Sequence, residues 1–279
     1  MENILELFEL DFFQNAIFAS VLCGIICGII GTYIVAKRIV FISGGISHAS
    51  FGGIGIAYYL GFTPMLGASI FAILSAIGIT KFSKINNLRQ DSIIGIFWSA
   101  GMAIGLLFIY ISPGYVPNLM SYLFGNILST SNTQLLLMLG LTIFIIAFFC
   151  IFMRPIYYIA FDKDYAQTNN KYSDILNTIL ICLVALSIVI TINVIGIILS
   201  IAYLTIPQAT ANLFYNDFKK ITLASSIICP IGSLCGLIIA SIIDLPPSAS
   251  IILTFFSFFI LAYLYKKIYT TRLKRTKSI

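Results

Sequence analysis

The sixteen lysines and arginines of this chain fall into five clusters, and the sequence between clusters is long, apolar and nearly free of charge. Residues 39–80 contain no Asp, Glu, Lys or Arg, and the same holds for 92–153, 175–216, 221–243 and 245–265. Charged residues make up 9% of the chain, against about 25% in ordinary soluble domains. A water-soluble fold has no interior large enough for that much uncharged sequence. The pattern predicts an all-α, polytopic transmembrane helical bundle, a single domain over residues 1–279.

A membrane span takes about 20 residues. Division at glycines, prolines and charges predicts about nine of them, at 13–36, 39–60, 64–80, 92–111, 134–153, 175–193, 194–214, 221–241 and 249–265. The division near Gly196 carries the weakest signal, and 113–134 leaves room for a short or re-entrant helix. With the N-terminus outside, every basic residue lies in an inner segment: 37–38, 81–89, 154–171, 216–220 or the basic tail 266–279. The outer segments 61–64, 112–133 and 244–248 hold none. One assignment sorts every positive charge, so an odd number of spans and a cytoplasmic C-terminus are expected. The net charge of +6 then reflects orientation and anionic lipid headgroups, not nucleic acid.

The first residues, M-E-N-I-L-E-L, are acidic and lack the basic start of a signal peptide, so they read as an amphipathic lead-in to the first span. All six cysteines lie in apolar stretches, and Cys23 and Cys27, one turn apart, read as small packing residues. Gly24 and Gly28 form a G-x-x-x-G pair, and Ser233 with Gly236 marks a second thin helix face. Pro207 and Pro230 fall inside predicted helices, where each removes a backbone donor and bends its helix.

The sole histidine, His48, lies in F-I-S-G-G-I-S-H-A-S-F-G-G, residues 41–53. It falls roughly 14 Å along its predicted span, near mid-bilayer. Gly44, His48 and Gly52 share a helix face, with Gly45 and Ser47 beside it. A lone histidine is often bonded to a neighbouring carbonyl. An ionisable group in a membrane, flanked by residues this small, points equally to function.

This segment resembles the G-D-x-x-S-H-A signature of the integral-membrane permeases of bacterial ATP-binding-cassette importers for zinc, manganese and iron. The similarity recurs in order along residues 15–260. Residues 91–105 (D-S-I-I-G-I-F-W-S-A-G-M-A-I-G) resemble the family's fourth-helix pattern, and 121–129 its S-Y-L-F-G segment. F-D-K-D-Y-A at 161–166 resembles its cytoplasmic F-D-x-x-x-A motif, I-P-Q-A-T-A at 206–211 its I-P-A-A-T-A, and Asp244–Pro246 its D-L-P. The resemblance implies a permease in the bacterial cytoplasmic (inner) membrane that passes a divalent metal as substrate and holds no permanent cofactor. It implies as partners a separate ATPase, an extracytoplasmic metal-binding protein and a second copy of the permease.

The family commonly has an aspartate one turn before the histidine, where this chain has Gly44. Carried over residue by residue, the metal path comprises His48, Ser43 and Ser47 with water and backbone, or else coordination during passage is loose. The delivery protein then sets most of the selectivity. The segment 154–171 is the expected cytoplasmic coupling loop. In it Phe161 and Tyr165 present an aromatic face to the ATPase, with Asp162, Asp164 and Ala166 in the same motif. Asp244 either helps the outer mouth receive a cation or caps the following helix.

No G-x-x-x-x-G-K-S/T sequence occurs, so nucleotide hydrolysis belongs to another chain. A gradient-driven secondary transporter or channel is the competing class, but such proteins keep carboxylates or basic groups within the membrane, and here His48 alone is such a group. An intramembrane enzyme is disfavoured by the lack of H-E-x-x-H, G-x-S-x-G or a paired intramembrane carboxylate.

Overall fold

The computed structural model describes residues 9–85, 89–113, 125–169 and 171–276. Among them are ten α-helices and one 3₁₀ turn, Ile127–Ser129. The helices are α1 (Asp11–Ala36), α2 (Phe41–Leu60), α3 (Pro64–Ile85), α4 (Gln90–Ile111), α5 (Asn132–Phe161), α6 (Lys163–Asn169), α7 (Ser173–Ile195), α8 (Ile197–Asn212), α9 (Phe218–Ile243) and α10 (Pro247–Thr276). A helix covers each of the nine predicted segments. By length and composition seven are apolar enough to cross a membrane: α1, α3, α4, α5, α7, α9 and α10. The other two fall short because α8 has only 16 residues and α2 is rich in glycine and serine.

Local chemistry sets the boundaries. Gly61 ends α2 in the left-handed region at φ 76°, and Pro64 opens α3, where a missing N–H is harmless. Gly196, at φ 78°, separates α7 from α8. The Ser131 hydroxyl accepts from the Gln134 N–H, and the Gln134 side chain accepts from the Ser131 N–H, a reciprocal cap at the start of α5. The Asp217 carboxylate accepts from the N–H groups of Lys219 and Lys220 and starts α9.

Two segments differ from expectation. Residues 154–161 are helical: α5 runs through Pro155 to Phe161 with a kink at Phe152 (φ −106°, ψ 18°). The proline removes one backbone donor and the bend relieves its ring, but the helix resumes. Likewise α10 continues to Thr276, so the basic tail begins as a helical extension. Residues 114–124, where a re-entrant helix and most of the S-Y-L-F-G segment were expected, lie outside the described residues.

α1 packs on α9, α8, α5 and α7, while α2 packs on α4, α3 and α7. In an apolar 18-residue stretch of α1 and of α7, 72% of the residues are buried, against 22–33% in the corresponding stretches of the other five membrane-length helices. The first two therefore form the centre, and the outer helices present apolar faces. Tyr110 is 89% exposed and Ile151 72%, a surface that suits lipid and not water.

The α1–α9 contact is made by the small residues noted in the sequence. A Cβ on Gly24 would lie 2.7 Å from the Pro230 nitrogen, and one on Gly28 2.6 Å from Ser226 Cα. Both obstacles are backbone and cannot swing aside. Gly28→Val is therefore expected to destabilise the bundle by about 1–3 kcal/mol, seen as a lower unfolding temperature in detergent. An unchanged midpoint would mean that the two helices are further apart.

The helix ends sort chemically. At one end the Asn15 amide donates to the Thr130 carbonyl (3.2 Å) and to Asn132 Oδ1 (3.0 Å). Nearby the Gln134 amide donates to Asn193. At the other end Lys37 donates to the Tyr33 hydroxyl at 2.9 Å and to Asn177 Oδ1. Lys37 also shares a cavity of about 260 Å³ with Thr80, Ser83, Gln90, Phe161 and Asp174. The basic clusters thus gather at one end of the bundle.

Candidate functional site

α2 carries His48 seven residues after its first residue, Phe41, about 10 Å along the axis. Glycines bring α4 against it. A Cβ on Gly101 would lie 2.5 Å from Ala49 Cα, one on Gly105 2.5 Å from the Phe51 carbonyl, and one on Gly55 2.4 Å from the Gly105 carbonyl. The two backbones therefore touch, and side chains flanking the glycine seam must meet. Trp98, one turn before Gly101, lies over His48: the rings stack with centroids 4.3 Å apart and planes 6° from parallel. The Phe51 ring, 6.2 Å away and 20° from parallel, borders the same imidazole. His48 is half-buried, and its Nδ1 is buried with no hydrogen-bond partner among the described residues.

Ser43 and Ser47 do not join the imidazole. They lie about 140° and 100° around the helix from it. Both are buried, and their hydroxyls donate to carbonyls of their own helix, Ser43 to Val40 at 2.7 Å and Ser47 to Ser43. Ser50, on that same side, reaches a second cavity of about 220 Å³ with Thr63, Met65 and Asn193. α2 thus has an imidazole side against α4 and a hydroxyl side against α7. Among the described residues no three His, Cys, Asp or Glu side chains gather to hold a metal. Cys23, Cys27 and Cys229 are fully buried packing residues, as expected of the first two.

Asp244 is exposed at the left-handed end of α9 (φ 56°, ψ 48°). It terminates that helix and does not cap α10, which begins at Pro247; the capping alternative is thereby corrected. Its turn belongs to α9 and α10, whereas α2 packs chiefly against α3, α4 and α7, so Asp244 stands apart from the His48 site.

At the other end, Asp162 is extended (φ −142°, ψ 90°) and separates Phe161, the last residue of α5, from Tyr165 on α6. The Asp162 carboxylate accepts from the Tyr165 N–H at 2.9 Å, which makes it the cap of the short helix. Phe161 and Tyr165 therefore do not share one helix face. Phe161 packs on Tyr157 (4.9 Å) and edge-on to Phe218 (6.1 Å), and Tyr165 packs on Tyr158 (4.9 Å). Each keeps about half its surface free, 54% for Phe161 and 48% for Tyr165. Ala166 is buried, and Asp164 is exposed with its carbonyl accepting from the Thr168 hydroxyl. Beside this cluster lies an open groove of about 530 Å³ lined by Arg154, Tyr157, Asn216, Asp217 and Lys219.

Sequence reasoning passed over Trp98 and Phe218. The first had a signal: it is the chain's only tryptophan and lies one turn from a G-x-x-x-G pair, Gly101 and Gly105. The second had none, since its place beside Phe161 depends on how α9 meets α5.

The chain is 38% identical over 253 residues to an uncharacterized membrane protein of Synechocystis, covering 91% of this chain and 90% of that one. It is 32% identical over 260 residues to the manganese transport system membrane protein MntC of Halalkalibacterium halodurans, covering 93% and 89%. Among solved structures it is similar to a chain of PsaBC from Streptococcus pneumoniae in complex with a Fab. That match has a TM-score of 0.81 and 30% identity over 93% of this chain and 95% of that one. Residues 9–266 match the ABC 3 transport family. The chain belongs to that family and is one of its multi-pass membrane permeases.

Proposed function

We propose that this chain is the membrane permease of an ATP-driven importer for a divalent transition metal of the zinc, manganese and iron group. The observation that carries the reading is the likeness, along 93% of the chain, to a protein named for manganese transport. In this reading the metal is cargo and passes beside His48. Ser43 and Ser47, turned to the other side of α2, take no part at the imidazole, and Asp244 favours cations at the outer mouth.

A separate ATPase docks at the end where Phe161, Asp162, Asp164, Tyr165 and Ala166 lie, with the Arg154–Lys219 groove at its edge. An extracytoplasmic metal-binding protein delivers the cargo, and two copies of the permease form the complex. The two short or polar helices, α2 and α8, also cross, giving nine spans in the bacterial cytoplasmic membrane, N-terminus outside and C-terminus inside. Helices with polar residues on both sides span a bilayer when neighbours cover them, and both α2 and α8 are flanked in that way.

The test is uptake by vesicles that contain permease, ATPase and delivery protein. Mn²⁺, Zn²⁺ and Fe²⁺ are offered with and without ATP inside. ATP-dependent accumulation of at least one is expected. In the same vesicles an impermeant thiol reagent is expected to label Asp244→Cys from outside and Lys274→Cys only after lysis. Uptake driven by an ion gradient without ATP, or labelling of both positions from one side, would overturn the reading.

A further inference from the structure

Three observations converge on the imidazole side of α2. The indole of Trp98 covers one face of His48 in a near-parallel stack. The Nδ1 of His48 is buried with no hydrogen-bond partner among the described residues. Gly44, one turn earlier on that face, leaves room for a side chain that is not there: a Cβ would meet Trp98 Cζ3 at 3.6 Å and Ile201 Cδ1 at 3.8 Å, ordinary contacts. Among the described residues no cluster of carboxylates lies here, and the serine hydroxyls turn to the other side of the helix.

We propose that His48 and Trp98 together form a selectivity element that favours imidazole-preferring divalent ions over Mn²⁺, with the indole face bordering the ion's place beside the imidazole. The inference rests on the transport reading above. A cation ligated in the imidazole plane sits about 2 Å from nitrogen. For a ring stacked squarely it is then roughly 5 Å from the indole centre, within the reach of the attraction between a cation and an aromatic face. One nitrogen ligand and an aromatic face hold a dication weakly, which suits passage. They also discriminate, because imidazole binds Co²⁺ more tightly than Mn²⁺, whereas carboxylate and carbonyl oxygens suit Mn²⁺.

Trp98, as the only tryptophan, reports on its own site. Co²⁺ and Mn²⁺ are paramagnetic, and either one bound at His48 quenches the indole at close range. In the full-length chain in detergent, Co²⁺ is expected to quench emission saturably, at about tenfold lower concentration than Mn²⁺. His48→Ala is expected to abolish the saturable phase. Gly44→Asp supplies an oxygen ligand on the same face and is expected to close the Co²⁺-to-Mn²⁺ gap to about threefold or less. In the assembled complex Trp98→Phe, which keeps an aromatic face, retains most metal uptake while Trp98→Ala loses it.

Non-saturable quenching, quenching that survives His48→Ala, a Co²⁺-to-Mn²⁺ ratio unmoved by Gly44→Asp, or equal uptake by Trp98→Phe and Trp98→Ala would each overturn the proposal. These outcomes are separate from failure of the transport reading, which shows as no ATP-dependent uptake of any divalent ion by the unmodified complex.

Discussion

Replacing His48 with alanine is expected to reduce metal uptake by about tenfold or more while the assembled complex survives. Losing a partner that merely orients a metal ligand costs about 10–100-fold, and losing the ligating nitrogen costs at least that. Stability moves little because two terms oppose. The stack on Trp98 contributes about 0.5–1.5 kcal/mol, and truncation forfeits it. The unpartnered buried Nδ1 costs about 1–3 kcal/mol, and truncation removes that penalty. The expected signature is an intact, normally melting complex that does not transport, measured by vesicle uptake beside size-exclusion profiles. Normal uptake by His48→Ala would take the imidazole out of the mechanism.

The second large effect is expected at the other end of the bundle. Phe161→Asp is expected to uncouple the permease from its ATPase, so that hydrolysis in reconstituted vesicles no longer responds to metal-loaded delivery protein. Phe161 is 54% exposed although it lies in an aromatic cluster, the profile of an anchor that fills a partner's pocket. Truncating such an anchor costs about 2 kcal/mol or more, roughly a thirtyfold loss of affinity. A carboxylate adds desolvation to that loss. Because Phe161 also packs on Tyr157 and Phe218, Phe161→Leu is the control: it keeps the apolar volume and is expected to retain coupling. Substrate-stimulated hydrolysis that persists in Phe161→Asp would place the docking surface elsewhere.

The residues that ended up mattering were unequally visible in advance. The glycines of α1 announced a close helix contact through their four-residue spacing, and Gly24 and Gly28 do meet backbone on α9. The break at Gly61 was legible because positive φ is a local property of one residue, whereas the break at Gly196 carried the weakest signal and the structure supplied it. Pro155 misled in the opposite direction: a proline beside Arg154 reads as a helix end, yet α5 bends and continues. Asp162 looked like part of a docking motif, and its carboxylate has a local task as well, capping α6. Spacing placed Ser47 beside the His48 face, but its hydroxyl bonds back to the preceding turn, a choice that rotamers make and sequence does not display.

The sequence by itself determined that this chain is a helical membrane protein, where most of its helices break and which end of each is basic. Hydropathy, charge and backbone freedom are properties of residues one at a time and add along the chain. Only the tertiary structure decided that α1 and α7 occupy the centre, that Trp98 covers His48 and that Phe218 braces Phe161. Lipid is as apolar as the protein interior, so the hydrophobic effect does not tell the inward face of such a helix from the outward one. Side-chain packing and glycine-width contacts make that choice, and they exist only between helices.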